Sequence, residues 1–584
     1  MTLYQVTQTT DNGNGDTVGT LSYAILQANR NTGTDAIELK TNVRIISVMK
    51  TLPDSDMVII GNGKTVSGDA NNNGQTDNGD LRPFFIKSGN VKFYDLTITN
   101  STAKGGDSRL GGGGAGMGGG MFIYGGDVSL SNVTFSNNRA QGGSSQNQNS
   151  GGGGGGMFGN GSGDSGGFGG GGGGGLFASS TGSDGAYGGN GNYRNDSGDF
   201  GNGGNGGYRV SGGNGGFGGG GGQADRGVSG GNGGNGGFGG GGGGGGRRGN
   251  GGYGGYGGGG GYRGTDGSNG NGGYGTSTNI LRSGSTAGAG MGGAIFIRSG
   301  SLALNSVNLN NNSASGGSGK NIPLNGKGLG GALFIMQRTS NTNGNNQGMP
   351  TTLPTVVSEG TQPTYSGNSA SNNNNNVFGT VNTVTDSKAG SDTINGTNNS
   401  DILDGGAGND TINGLGSNDI LLGGQGNDAI NGGAGSDILY GGLGSDNLNG
   451  GAGNDSLIGG AGSDRFIFNS GQQFTQANAE LVGLDTISDF VQGTDKIVLS
   501  KTTFTGIDSV VGNGFNQTNE FRVVANQNAL SNLLQNLGAV NIVYNLETGG
   551  LNYISDNPLS LNFTRIATIQ GAPALTASDF QIIA

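Results

Sequence analysis

Short apolar runs of alternating pattern, broken by Asn, Thr and Gly, fill residues 1–140 and predict β-strands. The exception is Leu21-Ser22-Tyr23-Ala24-Ile25-Leu26-Gln27-Ala28-Asn29, where apolar positions 21, 24, 25 and 28 follow helical spacing. A helix there would cap the start of a β-structure. The apolar pattern then repeats. Phe85-Ile86, followed by Val91, Phe93, Leu96 and Ile98, returns 37 residues later as Phe122-Ile123 with Val128, Leu130, Val133 and Phe135. It returns after 174 residues as Phe296-Ile297 with Leu302, Leu304, Val307 and Leu309, and starts again at Leu333-Phe334-Ile335, 38 further on. No copy can bury its apolar face alone, so the copies predict stacked coils of a right-handed parallel β-helix.

The long interval exceeds a normal step by 174 − 37 = 137 residues. This insertion, residues 141–289, is built of runs such as Gly-Gly-Phe-Gly-Gly-Gly-Gly, and residues 151–275 hold 69 of the chain's 143 glycines. Glycine at that density loses the most backbone entropy on ordering and offers no side chains to pack, which predicts a flexible surface excursion. A packed bundle of polyproline II-like glycine helices is the alternative.

From residue 387 a stricter pattern takes over. Asp392, Asp401, Asp410, Asp419, Asp428, Asp437, Asp446, Asp455 and Asp464 stand nine residues apart without a slip. Two positions after each is an apolar residue, from Ile394 to Phe466, and before most of them is Gly-Gly-x-Gly-x, as in Gly405-Gly406-Ala407-Gly408-Asn409-Asp410. Glycine permits tight turns with positive φ and bares carbonyl oxygens, while aspartate adds a charged oxygen. The apolar residue turns inward on a very short strand.

This pattern resembles the RTX family of calcium-binding β-rolls. The resemblance implies two nonapeptides per coil, with calcium held between aspartates of repeats i and i+2: 392/410, 401/419, 410/428, 419/437, 428/446, 437/455 and 446/464. Main-chain oxygens would complete each site, at Gly405, Gly408, Gly423, Gly426, Gly432, Gly435, Gly441, Gly444, Gly450, Gly453, Gly459 and Gly462. Three departures weaken the early repeats: the start Ser387-Lys388, Asn399 in place of a glycine, and the displaced glycine of Gly414-Leu415-Gly416-Ser417-Asn418-Asp419. The expectation therefore rests most on residues 423–464. Stacked aspartates without metal repel, so calcium is expected to drive the folding of residues 387–468.

After the ladder, Leu484-Asp485-Thr486-Ile487-Ser488-Asp489-Phe490 leads to Asp495-Lys496-Ile497-Val498-Leu499, similar to the cap that closes RTX rolls. Ile542-Val543-Tyr544-Asn545 and Leu551-Asn552-Tyr553 flank Thr548-Gly549-Gly550, a hairpin signal. The terminal Leu575-Thr576-Ala577-Ser578-Asp579-Phe580-Gln581-Ile582-Ile583-Ala584 resembles the uncleaved signal of type I secretion substrates, an ordinary final strand being the compatible alternative. Met1-Thr2-Leu3-Tyr4-Gln5-Val6 has no basic n-region followed by an apolar h-region. Export by type I secretion machinery needs none, and folding in millimolar calcium outside the cell would follow.

Composition narrows the chemistry. The 584 residues include no Cys, His or Trp, which excludes disulfides, Cys or His zinc sites, a Cys nucleophile and a Ser-His-Asp relay. A net charge of −11 argues against nucleic acid as a main partner. No apolar stretch is long enough to predict a membrane span. One further oxygen-rich loop stands out. Asp69, Asn71, Asn73, Asp77 and Asp80 occupy positions 1, 3, 5, 9 and 12 of a loop with Gly74 at 6, the spacing of an EF-hand or dockerin-like calcium loop with Asp last. Its flanks read as strand, so a solvated Asn-rich turn is the alternative.

The expected organisation is all-β: β-helix over 1–140, glycine-rich insertion over 141–289, continued β-helix and linker over 290–380, RTX β-roll over 381–469, and a C-terminal β cap with secretion segment over 470–584. The N-terminal coils also resemble bacterial surface and autotransporter-type β-helices. Together these imply a secreted calcium-binding protein with a structural or adhesive role, and surface or matrix polysaccharide as the candidate partner. The alternative is a calcium-dependent polysaccharide lyase or epimerase, since such enzymes join β-helices to RTX modules. Those epimerases commonly use a His that this chain lacks, no catalytic cleft is marked, and the reading leans away from an enzyme.

Overall fold

The structure is a computed structural model. It describes residues 2–31, 33–108, 111–145, 154–155, 157, 211–224, 231–263, 267–276, 285–319, 325–341, 346, 348–358, 361–372, 374–383, 390–475, 479, 481–517, 520–535, 541–554 and 563–584. Two compact units divide at residues 384/385.

In the first unit the helix forms over Leu21–Ala28, with Thr20 as N-cap accepting from the Tyr23 N–H. Its apolar face joins Val6, Ile37 and Ile59 in the main core. From there the chain winds in coils whose strands all pair in parallel. One sheet stacks Asn90–Thr99, Asp127–Ser131, Ser301–Asn305 and Thr355–Ser358, and a second stacks Phe84–Ile86, Met121–Ile123, Ile295–Ile297 and Leu333–Ile335. The repeats found in the sequence lie in register: Phe122 pairs with Phe85 on one side and with Phe296 on the other, and Phe296 pairs with Phe334. Asn100, Asn137 and Asn311 turn the coils at positive φ, a conformation asparagine tolerates. Beside them a buried ladder runs through Asn138, Asn312 and Asn368, in which Asn312 Oδ1 accepts from Asn138 and Asn368 Oδ1 from Asn312, at 2.8–3.1 Å.

The insertion differs from the flexible excursion expected of it. Residues 211–224, 231–263 and 267–276 form extended glycine arms joined by backbone hydrogen bonds at every third residue. The N–H groups of Gly212, Gly215, Gly218, Gly221 and Ala224 donate to the carbonyls of Asn232, Asn235, Phe238, Gly241 and Gly244, at 2.7–3.0 Å. The next layer repeats the rule from Gly233, Gly236, Gly239, Gly242 and Gly245. Three residues per turn is the period of a polyproline II helix, and the arms form a bundle of such helices. Glycine is required by close approach: a Cβ on Gly237 would overlap the carbonyl of Gly216, and one on Gly255 that of Gly237. The interhelix bonds satisfy the backbone groups that water would otherwise solvate, which offsets the ordering entropy.

Phe217, Phe238, Tyr256 and Tyr274 turn the arms and stack with centroids 5.1–5.3 Å apart. This ladder lies against a second one, Phe85, Phe122, Phe296, Phe334 and Phe378, with spacings of 4.7–5.0 Å, so the bundle and the outer face of the coils share one apolar core. Apart from residues 141–145, 154–155, 157 and 285–289, the rest of the 141–289 insertion lies outside the described residues, as does Ser387-Lys388.

In the second unit the nonapeptides alternate between two parallel sheets, one coil taking eighteen residues. Ile412, Leu421, Ile430, Leu439, Leu448, Leu457 and Phe466 are buried between them. Arg465–Phe468 is followed on its sheet by Lys496–Ser500 and then Phe580–Ile583, while Ser456–Ala461 is followed by Asp485–Ile487 and Phe563–Ile569. The hairpin signal is an antiparallel pair, Ile542–Asn545 with Gly550–Ile554. The helix Gln527–Gln535 was not anticipated.

Candidate metal centre

Each nonapeptide places its aspartate where the chain leaves the turn, and the sheet register stacks every second one. The N–H of each aspartate donates to Oδ1 of the aspartate eighteen residues on: 392 to 410, 401 to 419, 410 to 428, 419 to 437, 428 to 446, 437 to 455 and 446 to 464, at 2.7–3.0 Å. Asp419, Asp428, Asp437, Asp446 and Asp455 are at most 2% exposed, and the Oδ2 of each has no hydrogen-bond partner. An orphaned buried carboxylate oxygen repeated at every coil is unusual, because such atoms ordinarily find a donor.

What faces those oxygens is main chain. A Cβ on Gly405 would stand 2.5 Å from both Asp410 Oδ2 and the carbonyl oxygen of Gly423, so the two oxygens meet over the bare face of that glycine. The arrangement recurs at Gly423 with Asp428 and Gly441, at Gly432 with Asp437 and Gly450, and at Gly441 with Asp446 and Gly459. Asp455 Oδ2 and Asp464 Oδ2 face Gly450 and Gly459 likewise. Gly408, Gly426, Gly435, Gly444, Gly453 and Gly462 hold φ between +121° and +149°, which L side chains rarely adopt, and make the second bend of each turn. Among the described residues no three carboxylates converge on a point. Each candidate site is therefore aspartate plus carbonyl oxygen, an all-oxygen donor set that fits calcium.

Burial raises the pKa values of the aspartates from Asp419 to Asp464, against the lowering effect of the N–H each one accepts. Asp428 reaches about 6, Asp437 and Asp464 about 7, and Asp446, with Asp428 and Asp464 on either side, about 8. The metal-free stack thus holds like charges in a low-dielectric setting that favours protons or a cation among them.

The early repeats are poorer, in keeping with their sequence. Asp392 and Asp401 are only half-buried, and Asp401 Oδ2 accepts from Thr397 N–H and Oγ1. In the repeat with the displaced glycine, Leu415 and Ser417 take positive φ, 77° and 70°, where neighbouring repeats have glycine. The stack also continues beyond Asp464, where sequence reasoning ended it. Asp455 N–H donates to Asp485 Oδ1 at 3.1 Å and Asp464 N–H to Asp495 Oδ1 at 3.0 Å, across steps of 30 and 31 residues. Burial pushes Asp485 well up, with Asp455 adding to it. Asp489 accepts from the N–H groups of Gly459 and Gly460. The signal was present: Ile487 and Ile497 follow their aspartates at the ladder's own spacing of two. The separate loop residues Asp69, Asn71, Asn73, Asp77 and Asp80 lie together between the strands Met57–Ser67 and Phe84–Ile86.

The RTX calcium-binding nonapeptide repeat family model matches residues 387–421, 413–448 and 440–472, with four copies. No curated protein matches the chain. No helix among the described residues is long and apolar enough to cross a membrane. Over that segment the chain carries RTX nonapeptide repeats, which are of the calcium-binding kind.

Proposed function

We propose that this RTX repeat protein is exported by type I secretion machinery and folds as its roll takes up calcium, and that it serves a structural or adhesive role at the cell surface or in the extracellular matrix. The observation that carries the reading is the run of buried aspartates from Asp419 to Asp446, each with an orphaned oxygen facing a glycine carbonyl. Bound calcium supplies the positive charge that such a stack lacks. The aspartates of residues 423–464, with the carbonyls of Gly423, Gly441, Gly450 and Gly459, would hold it, and Asp485 and Asp495 extend the set into the cap. Orientation comes from the chain itself, since each Oδ1 is already fixed by a backbone N–H and only Oδ2 is left to bind.

The β-helix would serve as an elongated scaffold, with surface or matrix polysaccharide as its partner. Support for export comes from the pairing of the two properties, a calcium-poor state that repels itself and a C-terminal segment resembling a type I signal. Two experiments test it. Secretion should fail when residues 471–584 are removed, and secretion without them overturns the export step. Circular dichroism of the full chain should lose β signal when calcium is chelated, and an unchanged spectrum overturns the folding step.

A further inference from the structure

We propose that the loop of residues 69–80, in the β-helix unit and apart from the repeats, is a second kind of calcium site. The loop leaves the coil after Met57–Ser67 and is closed at its base, where Gly68 N–H donates to Thr99 O at 3.0 Å and Leu81 N–H to Gly68 O at 2.9 Å. Within it the side-chain oxygens turn towards the chain. Asp69 Oδ1 and Oδ2 accept from the N–H groups of Asn73 and Gly74, Asn71 Oδ1 from Asn73, and Asn73 Oδ1 from Gln75, at 2.7–3.1 Å. Asn71 and Asn73 donate their amide groups to Asp77 Oδ2, which draws that carboxylate over the loop. Gly74 has φ +73° at the bend.

The last residue points to a ligand. Asp80 is 5% exposed, its Oδ2 accepts from Asp77 N–H at 2.5 Å, and its Oδ1 is buried with no partner. Asp80 feels the charges of Asp77 and Asp69 and, in the opposite sense, that of Arg139, yet no lysine or arginine forms an ion pair with any of the three carboxylates among the described residues. Arg139, whose charge reaches Asp77 and Asp80, bonds Asn78 Oδ1, and Arg44 bonds Ala70 O. The donors are carboxylate and amide oxygens, with the Gln75 carbonyl at the position that supplies main-chain oxygen in a twelve-residue calcium loop. The three carboxylates do not yet converge on one point, so an ion would draw Asp77 and Asp80 inwards and tighten the loop. Asp80 also lines a cavity with Val48, Phe85 and Lys104, which is the alternative destination of its free oxygen.

Hydrogen exchange read peptide by peptide on the full chain, with calcium chloride or with chelator, separates this site from the roll. At calcium ten times the dissociation constant, amides of residues 69–80 that exchange by loop opening should slow about tenfold. Asp80→Asn should abolish that slowing while peptides from residues 423–464 keep their response, and Asp80→Glu should retain it. Asn90–Thr99, the strand beside the loop, reports whether the variant folds. If Asp80→Asn unfolds it, Asp77→Asn carries the same comparison. Exchange in residues 69–80 that ignores calcium while the roll responds, or that responds equally in the Asn variant, overturns the proposal and assigns the free oxygen to the neighbouring cavity.

Discussion

Two regions of this chain are rich in glycine and fold by opposite means. In the bundle of residues 211–224, 231–263 and 267–276, glycine packs on glycine, and the hydrogen bonds run from backbone to backbone at every third residue. In the roll, glycine opens space beside an aspartate, and the completed structure leaves charged oxygens that only a cation or protons can satisfy. The first arrangement is self-sufficient, and the second is conditional on its solvent. Glycine content alone therefore says nothing about ion dependence. What decides it is whether the group facing the glycine is a carbonyl whose partner is another N–H, or a buried carboxylate.

Chelation breaks the comparison most widely. With calcium removed at pH 7.5, amides of residues 411–461 should lose protection from exchange by orders of magnitude, while those of residues 233–259 keep theirs; loss in both would show one cooperative unit instead of two. The converse experiment is Gly237→Ala, which forces a Cβ into the Gly216 carbonyl. It should destabilise the first unit by about 2 kcal/mol or more, with or without calcium, measured by denaturant unfolding followed at the aromatic ladder.

Acidity should move the roll and leave the glycine arms unmoved. Asp428, Asp437, Asp446 and Asp464 are raised from 3.8 to between about 6 and about 8, so the calcium-free folded roll binds more protons than the unfolded chain across that range. Its stability is then fullest below about pH 4 and falls as pH rises through 6 to 8. In chelator, lowering the pH from 8 to 5 should increase roll protection. In calcium the sign reverses, because protons compete for the same oxygens, and the calcium midpoint should rise as pH falls. The glycine arms have no such group in their hydrogen-bond network and should not respond. The smallest effect expected is from Leu415→Gly with Ser417→Gly, which relieves two side chains at positive φ and should stabilise the calcium-loaded roll by about 1 kcal/mol each. An unchanged or lowered melting temperature would mean that these residues repay the strain elsewhere, Ser417 through its bond to Asn398 O.

The sequence was most informative where spacing is itself the structure. A slip-free interval of nine fixes both the stacking partner and the inward residue, so Asp437 and Leu439 could be placed without any coordinates. Asp485 and Asp495 were missed because detours of 30 and 31 residues broke the count, although their stacking is the same. The helix Leu21–Ala28 was visible from its apolar stripe, whereas Gln527–Gln535 carries Leu530, Leu533 and Leu534 at helical spacing in an otherwise polar segment. The bundle stood only as the alternative to a flexible excursion, for a deeper reason. Hydrophobic patterning records what side chains do, and the cohesion of the glycine arms comes from N–H and C=O groups that every residue in them carries. Only Phe217, Phe238, Tyr256 and Tyr274, each followed by glycine, marked its turns.

The coils on either side of the insertion meet in unbroken register, Met121 beside Ile295 and Val128 beside Leu302, as though nothing lay between them. A ladder of this kind keeps no record of how much chain leaves it and returns, so the insertion could be shortened, exchanged or removed without any strand changing partner. The consequence of removing it would fall on the face it covers, where the N–H groups of Ala115 and Lys327 would lose their carbonyl partners at Gly239 and Gly275. Five stacked phenylalanine rings, Phe85 to Phe378, would then face water as a continuous greasy strip, at a cost to solubility as well as to stability. Seen so, the glycine arms are a sleeve whose thinness lets them cover that strip closely.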